Sequence, residues 1–141
     1  MDNARIAFEP FVDEGVRRLI VDGVDMYNIS VTAMPEYAAV NFVLRGERGD
    51  VLGGVLGLLW GRWLQVSHLW VSAEVRGKGY GKRLLLDAED YARARDAVGA
   101  ALETYSFQAR PFYERLGYEL CGAIKGYPPG YAKFFLRKSL Q

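Results

Sequence analysis

The chain has 141 residues, 50% of them hydrophobic and 25% charged, which predicts one folded domain over residues 1–141 and excludes a disordered chain or a coiled coil. Its 18 basic and 17 acidic residues leave a net charge of +1, so we expect no nucleic-acid partner, because such binding rests on many phosphate contacts. The single cysteine, Cys121, and the single histidine, His68, exclude an intrachain disulfide and a finger-type zinc site. Cys121 is expected to be buried on a late strand.

The N-terminal sequence MDNARIAFEP has acids and a proline where a signal peptide has an apolar core. The longest apolar stretch, Val51–Trp60, is about half a membrane span and contains glycines. The sequence therefore predicts a cytoplasmic protein with no membrane partner.

The first predicted elements are a short strand at Arg5–Phe8 and a helix that begins near Pro10. Apolar residues at positions 12, 16, 19 and 20 form one helical stripe, and Gly23 is expected to end the helix. Residues 25–35 show weak periodicity and are predicted to form a loop, with or without a short helix.

The rest of the chain reads as a meander followed by alternating elements. Apolar, β-forming segments separated by glycine turns predict three antiparallel strands at Tyr37–Arg45, Val51–Trp60 and Trp63–Ser72. The later elements are predicted, in order, as a helix at 81–97, a strand at 100–105, a short helix at 109–116, and strands at 118–124 and 132–137. This order predicts an α/β fold with a mixed, mostly antiparallel sheet and helices on both faces.

The segment Arg76–Arg83, with the sequence RGKGYGKR, lies between a predicted strand and the strongest predicted helix. Its alternating glycines allow a sharp turn and a close approach of the backbone to a ligand. Unpaired N–H groups at the start of a helix bind anions, and four basic residues in this segment add positive charge. The segment is therefore predicted to bind phosphate.

Two common nucleotide motifs do not fit this segment. A Walker A loop ending at Gly81-Lys82 needs a glycine at Arg76 and a serine or threonine at Arg83. A dinucleotide fingerprint that begins at Gly77 needs a glycine at Lys82, and a meander precedes the turn where a β-α-β unit is required.

The remaining pattern, R-x-x-G-x-G at Arg76, Gly79 and Gly81, resembles the GCN5-related N-acetyltransferase (GNAT) superfamily. In that family this loop holds the pyrophosphate of acetyl-CoA. The preceding Leu69-Trp70-Val71 resembles the end of the family's central strand, which commonly carries a β-bulge and pairs with the pantetheine arm.

A second block, Ser106–Tyr118, resembles the family pattern N-x-x-A-x-x-x-Y-x-x-x-G-F. Ala109, Tyr113 and Gly117 match it, whereas Ser106 stands where asparagine is common and Tyr118 replaces phenylalanine. The two blocks together imply a GNAT-like fold and an N-acetyltransferase that uses acetyl-CoA as co-substrate and needs no metal. The residues that the resemblance implies for binding acetyl-CoA are Leu69, Trp70, Val71, Arg76, Gly77, Lys78, Gly79, Tyr80, Gly81, Lys82, Ser106, Ala109 and Phe112.

The resemblance also implies how the reaction is catalysed. Tyr113 matches the tyrosine that acts as general acid toward the departing thiolate, and a phenol is protonated at neutral pH. A backbone N–H near Val71 is expected to stabilise the thioester carbonyl. The base stays open between His68, Glu103 and water, because strand alternation places His68 on the face opposite Gln65 and Ser67 unless a bulge shifts the register.

The acceptor is left open between a small-molecule amine and a peptide or protein amine. In the family the N-terminal loop, here Tyr27-Asn28 and Met34–Glu36, forms one wall of the acceptor cleft, and Gly126–Tyr131 is expected to form the other. Homodimers are common in the family, so one is allowed here. Two alternatives are an acyl-CoA-binding sensor of the same fold without transferase activity and a toxin that acetylates aminoacyl-tRNA.

Overall fold

The computed structural model describes residues 3–141, which divide into two compact units at residue 36. The first unit contains helix α1 (Glu14–Thr32), whose N-terminus is capped by Asp13 through a 2.9 Å hydrogen bond from the N–H of Val16. The predicted strand at Arg5–Phe8 is wrong, since these residues form no strand. The helix begins after Pro10 because Asp13 supplies the capping carboxylate.

Helix α1 continues through Gly23, so the expected end of the helix there is wrong, and residues 25–32 belong to this same helix and not to a loop or a separate short helix. The hydroxyls of Ser30 and Thr32 donate to carbonyls one turn earlier, at 2.7 and 2.8 Å, and so satisfy their polar groups inside the helix. The helix ends at Ala33, which adopts the left-handed conformation.

The second unit, residues 37–141, is built on one six-stranded sheet in the order β1-β2-β3-β4-β6-β5. The strands are β1 (Ala38–Arg45), β2 (Val51–Trp60), β3 (Trp63–Val71), β4 (Gly99–Tyr105), β5 (Glu119–Lys125) and β6 (Ala132–Ser139). The helices of this unit are α2 (Tyr80–Arg93) and α3 (Arg110–Arg115). The β3–β4 pair is parallel and the other pairs are antiparallel, which confirms the predicted mixed, mostly antiparallel sheet.

The core of this unit lies between α2 and one face of the sheet. Apolar residues of α2 recur at helical spacing and meet buried side chains of the strands, and burying this surface stabilises the fold. The buried core residues are Val40, Val55, Leu64, Val66, Leu84, Leu85, Ala88, Ala92, Ala97, Ala100, Leu102, Tyr118, Leu136 and Leu140.

One carboxylate lies fully buried in this core. Glu89 of α2 is 0% exposed and accepts hydrogen bonds from Tyr118 Oη at 2.8 Å and from Lys138 Nζ at 2.6 Å. Lys138 belongs to β6 and Tyr118 to the segment between α3 and β5, so this polar cluster joins the C-terminal part of the chain to the helix.

Candidate active site

The parallel strands β3 and β4 separate at one end and open a cleft in the sheet. Their pairing ends where Val66 lies opposite Leu102, whereas β3 continues to Val71 and β4 continues to Tyr105. Beyond Val66, this edge of β3 therefore faces an opening where a neighbouring strand would lie. Such an edge can hydrogen-bond an extended ligand.

Val71 presents its backbone to this opening. Arg76 Nε donates a 2.9 Å hydrogen bond to Val71 O, whereas the N–H of the next residue, Ser72, donates to Leu52 O on the opposite side at 2.7 Å. Because successive strand residues direct their backbone groups to opposite edges, the N–H of Val71 also points into the opening. A donor in this position can stabilise negative charge on a carbonyl oxygen.

A β-bulge in β3 changes the alternation of its side chains. Leu56 of β2 pairs with His68, and the next residue, Gly57, pairs with Val66. Ser67 is therefore an extra residue on β3, and its hydroxyl donates to Leu56 O at 3.0 Å. One extra residue reverses the face on which every later side chain of the strand lies.

Strand alternation without a bulge would place His68 opposite Gln65, and the bulge that the sequence left open reverses that placement. Past the bulge, Leu69 and Val71 pack against the core, as residues 64 and 66 do before it. The exposed His68 consequently lies on the same face as Gln65. The bulge thus brings the single imidazole of the chain to the side of the sheet away from α2.

The glycine-basic segment forms the turn into α2. Gly77 and Gly79 have φ angles of 78° and 83°, in the left-handed region that favours glycine, and a side-chain carbon built at either would meet open space. The backbone conformation, and not lack of room, is therefore what requires glycine at these two positions.

The backbone N–H groups at this turn are free to bind a ligand. The N–H of Arg83 donates to Gly79 O at 3.1 Å, but within residues 3–141 the N–H groups of residues 77–82 donate to no backbone carbonyl. They lie at the positive end of the α2 dipole, beside the side chains of Lys78 and Lys82. This arrangement is suited to binding an anion.

A first cleft of about 430 Å³ runs from this turn along the open edge of β3. Leu69 and Val71 line it from β3, and Phe112 and Tyr113 line it from α3. Its walls are mostly apolar and its far end carries the free N–H groups, so an elongated ligand with an apolar arm and an anionic end would fit. The complete lining is Leu69, Trp70, Val71, Val75, Arg76, Gly77, Gly79, Tyr80, Gly81, Lys82, Ala109, Phe112 and Tyr113.

Tyr113 lies where the first cleft meets a second one. Its ring packs edge-on against Phe112 and Tyr118, with centroids 5.1 and 5.9 Å apart. Its hydroxyl makes no hydrogen bond to any residue in the described part of the chain, and burial raises the pKa of Tyr113 above its ordinary value. The phenol therefore keeps its proton in a position open to both clefts.

The second cleft, of about 590 Å³, lies on the other side of Tyr113. It is more polar than the first and contains both candidate bases, His68 and Glu103. Gln108 also lines it and accepts from the backbone N–H of Tyr105 at 2.9 Å, which shapes the turn into α3. The complete lining is Val66, Ser67, His68, Leu69, Trp70, Arg76, Glu103, Thr104, Phe107, Gln108, Ala109 and Tyr113.

The aromatic side chain of Phe107 extends this second cleft toward the β5–β6 turn. Tyr131 packs edge-on against Phe107 with centroids 5.0 Å apart, and Tyr105 stacks on Phe107 at 5.3 Å. The turn residues that were expected to flank the acceptor thus touch a residue of the cleft wall.

Comparison with known proteins identifies the family to which this chain belongs. Residues 11–118 match the sequence model of the Acetyltransferase (GNAT) family. The chain belongs to the GNAT family. It is therefore an acetyltransferase, and the two clefts that meet at Tyr113 lie at the ends of β3 and β4 in the GNAT fold.

The chain is also similar to individual proteins that are named as acetyltransferases. Blasticidin-S acetyltransferase of Streptomyces morookaense is 47% identical over 98 residues, which cover 67% of this chain and 71% of that protein. The structure of an acetyltransferase from Bacillus cereus matches with a TM-score of 0.79 and 29% identity, over 94% of this chain and 97% of the other. A Bacillus anthracis protein assigned as a streptothricin acetyltransferase, solved with acetyl coenzyme A, shares the fold with a TM-score of 0.63 and 21% identity, over 72% and 62% of the two chains.

Two residues expected at the cofactor site of this GNAT protein lie outside the lining of the first cleft. Lys78 belongs to the glycine turn but does not line the cleft. The hydroxyl of Ser106 accepts a 3.0 Å hydrogen bond from the N–H of Ala132 and so joins β6 to the end of β4. Val75 and Thr104 line the clefts without having been singled out in the sequence, because they lie outside both motif blocks, whereas Phe107 and Gln108 occupy positions of the second block that its pattern leaves unspecified.

The expected burial of Cys121 is wrong, because this residue is exposed. Leu120 of β5 pairs with Leu136 and Gly122 pairs with Phe135, so Cys121 is the extra residue of a second bulge. On this edge strand the bulge leaves the thiol exposed, and Sγ donates to Phe135 O at 3.3 Å.

Over residues 3–141, no three histidine, cysteine or acidic side chains come together in a group that could hold a metal ion. In the same range, none of the helices is both long and apolar enough to cross a membrane.

Proposed function

We propose that this GNAT enzyme transfers the acetyl group of acetyl-CoA to the amine of a small molecule. The observation that carries the proposal is the meeting of the two clefts at Tyr113, one with free N–H groups at its far end and the other polar. In this proposal residues 77–82 bind the pyrophosphate through their N–H groups, and the open edge of β3 pairs with the pantetheine arm. Residues 1–141 act as one acetyltransferase domain.

When bound, acetyl-CoA supplies the acetyl group in activated form, as a thioester. A neutral amine forms the new C–N bond while the C–S bond breaks, so the amine must lose one proton and the departing sulfur must gain one. The N–H of Val71 stabilises the charge that develops on the carbonyl oxygen. Tyr113 Oη, which burial keeps protonated at neutral pH, donates the proton to the sulfur.

His68 is proposed as the base that takes the proton from the amine, directly or through water. The bulge at Ser67 supports this choice, because it brings the imidazole to the polar cleft that Tyr113 also lines. The other candidate, Glu103, is engaged in an ion pair with Lys133 at 2.8 Å. An imidazole is the side chain used most often as a general base.

The acceptor is proposed to be a small-molecule amine, and blasticidin S is the first compound to test. The identity of 47% to blasticidin-S acetyltransferase over 98 residues supports this choice. The proposed enzyme should release coenzyme A thiol from acetyl-CoA when blasticidin S or another amine is added, and mass spectrometry should show an acceptor heavier by one acetyl group.

The thiol-release assay, combined with calorimetry, also tests the alternative of an acyl-CoA sensor. Calorimetry that detects binding of acetyl-CoA, with no thiol released for any member of a broad amine panel, would favour an acyl-CoA-binding module. Absence of both binding and thiol release would reject the proposed function.

A further inference from the structure

A third cleft of about 720 Å³ adjoins the second on the acceptor side and shares Val66, Ser67, His68, Glu103 and Gln108 with it. Within the described part of the chain, Glu103 is the one acidic residue that lines any of the three clefts. Its side chain is 47% exposed. Among the described residues no lysine or arginine lines the third cleft, so the carboxylate is the charged group that a ligand would meet there.

The pairing of β4 with β6 explains what surrounds this carboxylate. Tyr105 lies opposite Lys133 and Glu103 lies opposite Phe135, so these four side chains share one face of the sheet. Glu103 and Lys133 are diagonal neighbours, and Lys133 Nζ lies 2.8 Å from Glu103 Oε2.

Aromatic rings hold Lys133 on its other sides. Its Nζ lies 4.8 Å from the ring centre of Tyr127, 5.7 Å from that of Phe135 and 5.8 Å from that of Tyr105. The Lys133 side chain is 15% exposed, and the hydrogen bond to Glu103 raises the pKa of Lys133. Lys133 is therefore a charged lysine set among aromatic rings, and it does not line the cleft.

This arrangement orients the carboxylate and leaves part of it free. Lys133 engages Oε2, and Oε1 has no hydrogen-bond or ion-pair partner among the described residues. Tyr105 and Phe135 line the third cleft beside Glu103. A carboxylate oxygen next to aromatic rings is a favourable environment for an ammonium or guanidinium group.

We propose that the third cleft binds a second cationic group of the acceptor, held by Glu103 and the rings of Tyr105 and Phe135 at a distance from the amine that is acetylated. The inference rests on the proposed function and narrows the acceptor to molecules with at least two basic groups. Lys133 is a positioning residue, because its ion pair with Oε2 orients the Glu103 carboxylate and leaves Oε1 open to the ligand.

The test compares 1,4-diaminobutane with 1-aminobutane, which differ by the second ammonium. In the wild-type protein the kcat/KM for the diamine should be about tenfold higher than that for the monoamine. The two equivalent ends of the diamine account for a factor of only about two in this ratio. In Glu103→Gln, which keeps the size of the side chain and removes its charge, the ratio should fall to about two. The matched control is Glu119→Gln. Glu119 lies on β5, forms an exposed ion pair with Arg137 and lines none of the three clefts.

Binding is measured separately from catalysis. Titration of 1,4-diaminobutane into the protein should shift the backbone amide resonances of residues 103 and 135 in the wild type and in Glu119→Gln, but not in Glu103→Gln. Equal kcat/KM ratios in the wild type and Glu103→Gln, or equal shifts in both, would overturn the inference. If no amine releases thiol, the proposed function fails on that assay, and the titration still decides whether Glu103 binds a diamine.

Discussion

Tyr118 donates a 2.8 Å hydrogen bond to the fully buried carboxylate of Glu89, and this bond joins the segment after α3 to the middle of α2. Lys138 Nζ lies on the other carboxylate oxygen at 2.6 Å. A buried carboxylate is tolerated when its partners satisfy it, and its removal leaves those partners without compensation.

We therefore expect Glu89→Leu to lower the free energy of unfolding by about 3–5 kcal/mol, because the largely buried ammonium of Lys138 loses its counter-ion. Urea unfolding monitored by circular dichroism measures the change. Glu119→Gln removes an exposed ion pair with Arg137 and should cost less than about 1 kcal/mol. An equal decrease in the free energy of unfolding in the two variants would show that the buried cluster contributes no more to stability than the exposed ion pair.

The same hydrogen bond predicts how stability depends on alkaline pH. Burial, and then the neighbouring carboxylate of Glu89, raise the pKa of Tyr118 above its ordinary value of about 10. Above about pH 10 the unfolded chain loses this proton while the folded chain keeps it, so the free energy of unfolding falls as the pH rises. Urea unfolding between about pH 9 and pH 11 should show a steeper fall in the wild type than in Tyr118→Phe. If the free energy of unfolding falls equally with pH in the wild type and in Tyr118→Phe, the raised pKa of Tyr118 is contradicted.

The glycine turn can be tested with a matched pair of glycines. Gly79 at the N-terminus of α2 and Gly49 in the β1–β2 turn both have a φ of 83° and open space around the missing side chain. Replacement of either by alanine should cost about 1–2 kcal/mol in stability, for the same backbone reason. Calorimetry should find weaker binding of acetyl-CoA in Gly79→Ala alone. An unchanged affinity there would mean that this turn does not hold the pyrophosphate.

Tyr113→Phe should reduce kcat by about 100-fold and leave the affinity for acetyl-CoA within about twofold, because the ring still packs while the proton donor is lost. Since burial raises the pKa of Tyr113, its ionisation should not lower the wild-type kcat below about pH 10. Tyr91→Phe is the control, because Tyr91 lies on α2 outside the three clefts and stacks with Arg95. A kcat that survives in Tyr113→Phe would exclude the general-acid role.

His68→Gln should lower kcat about 100-fold near neutral pH, where a model amine of pKa about 10.4 is mostly protonated. The deficit should shrink as the pH approaches 10, because the amine then loses its proton without a base. Rate profiles of the wild type, His68→Gln and Glu103→Gln over this range separate the candidates. A pH-dependent deficit confined to Glu103→Gln would move the base to that carboxylate, and none in either variant would favour water.

Many features of this protein are encoded locally and are visible in its sequence. The six strands of the sheet follow from apolar β-forming segments between turn residues, and Gly77 and Gly79 occupy the conformations that their pattern predicts. The same holds for the cleft residues from 69 to 82, most of which belong to one continuous motif. Periodicity and backbone preference act over a few residues, so a linear reading captures them.

The tertiary structure decided the rest. The face on which His68 lies depends on one extra residue at Ser67, and although the family resemblance allows a bulge in this strand, no local pattern fixes where its pairing with β2 shifts. The exposure of Cys121 has the same origin in β5. The ion pair of Glu103 with Lys133 joins strands that are far apart in the chain and adjacent in the sheet. Sequence determined most of the elements and the glycine-basic motif through short-range interactions, whereas strand register, set by packing of the whole sheet, determined which side chains meet in the second and third clefts.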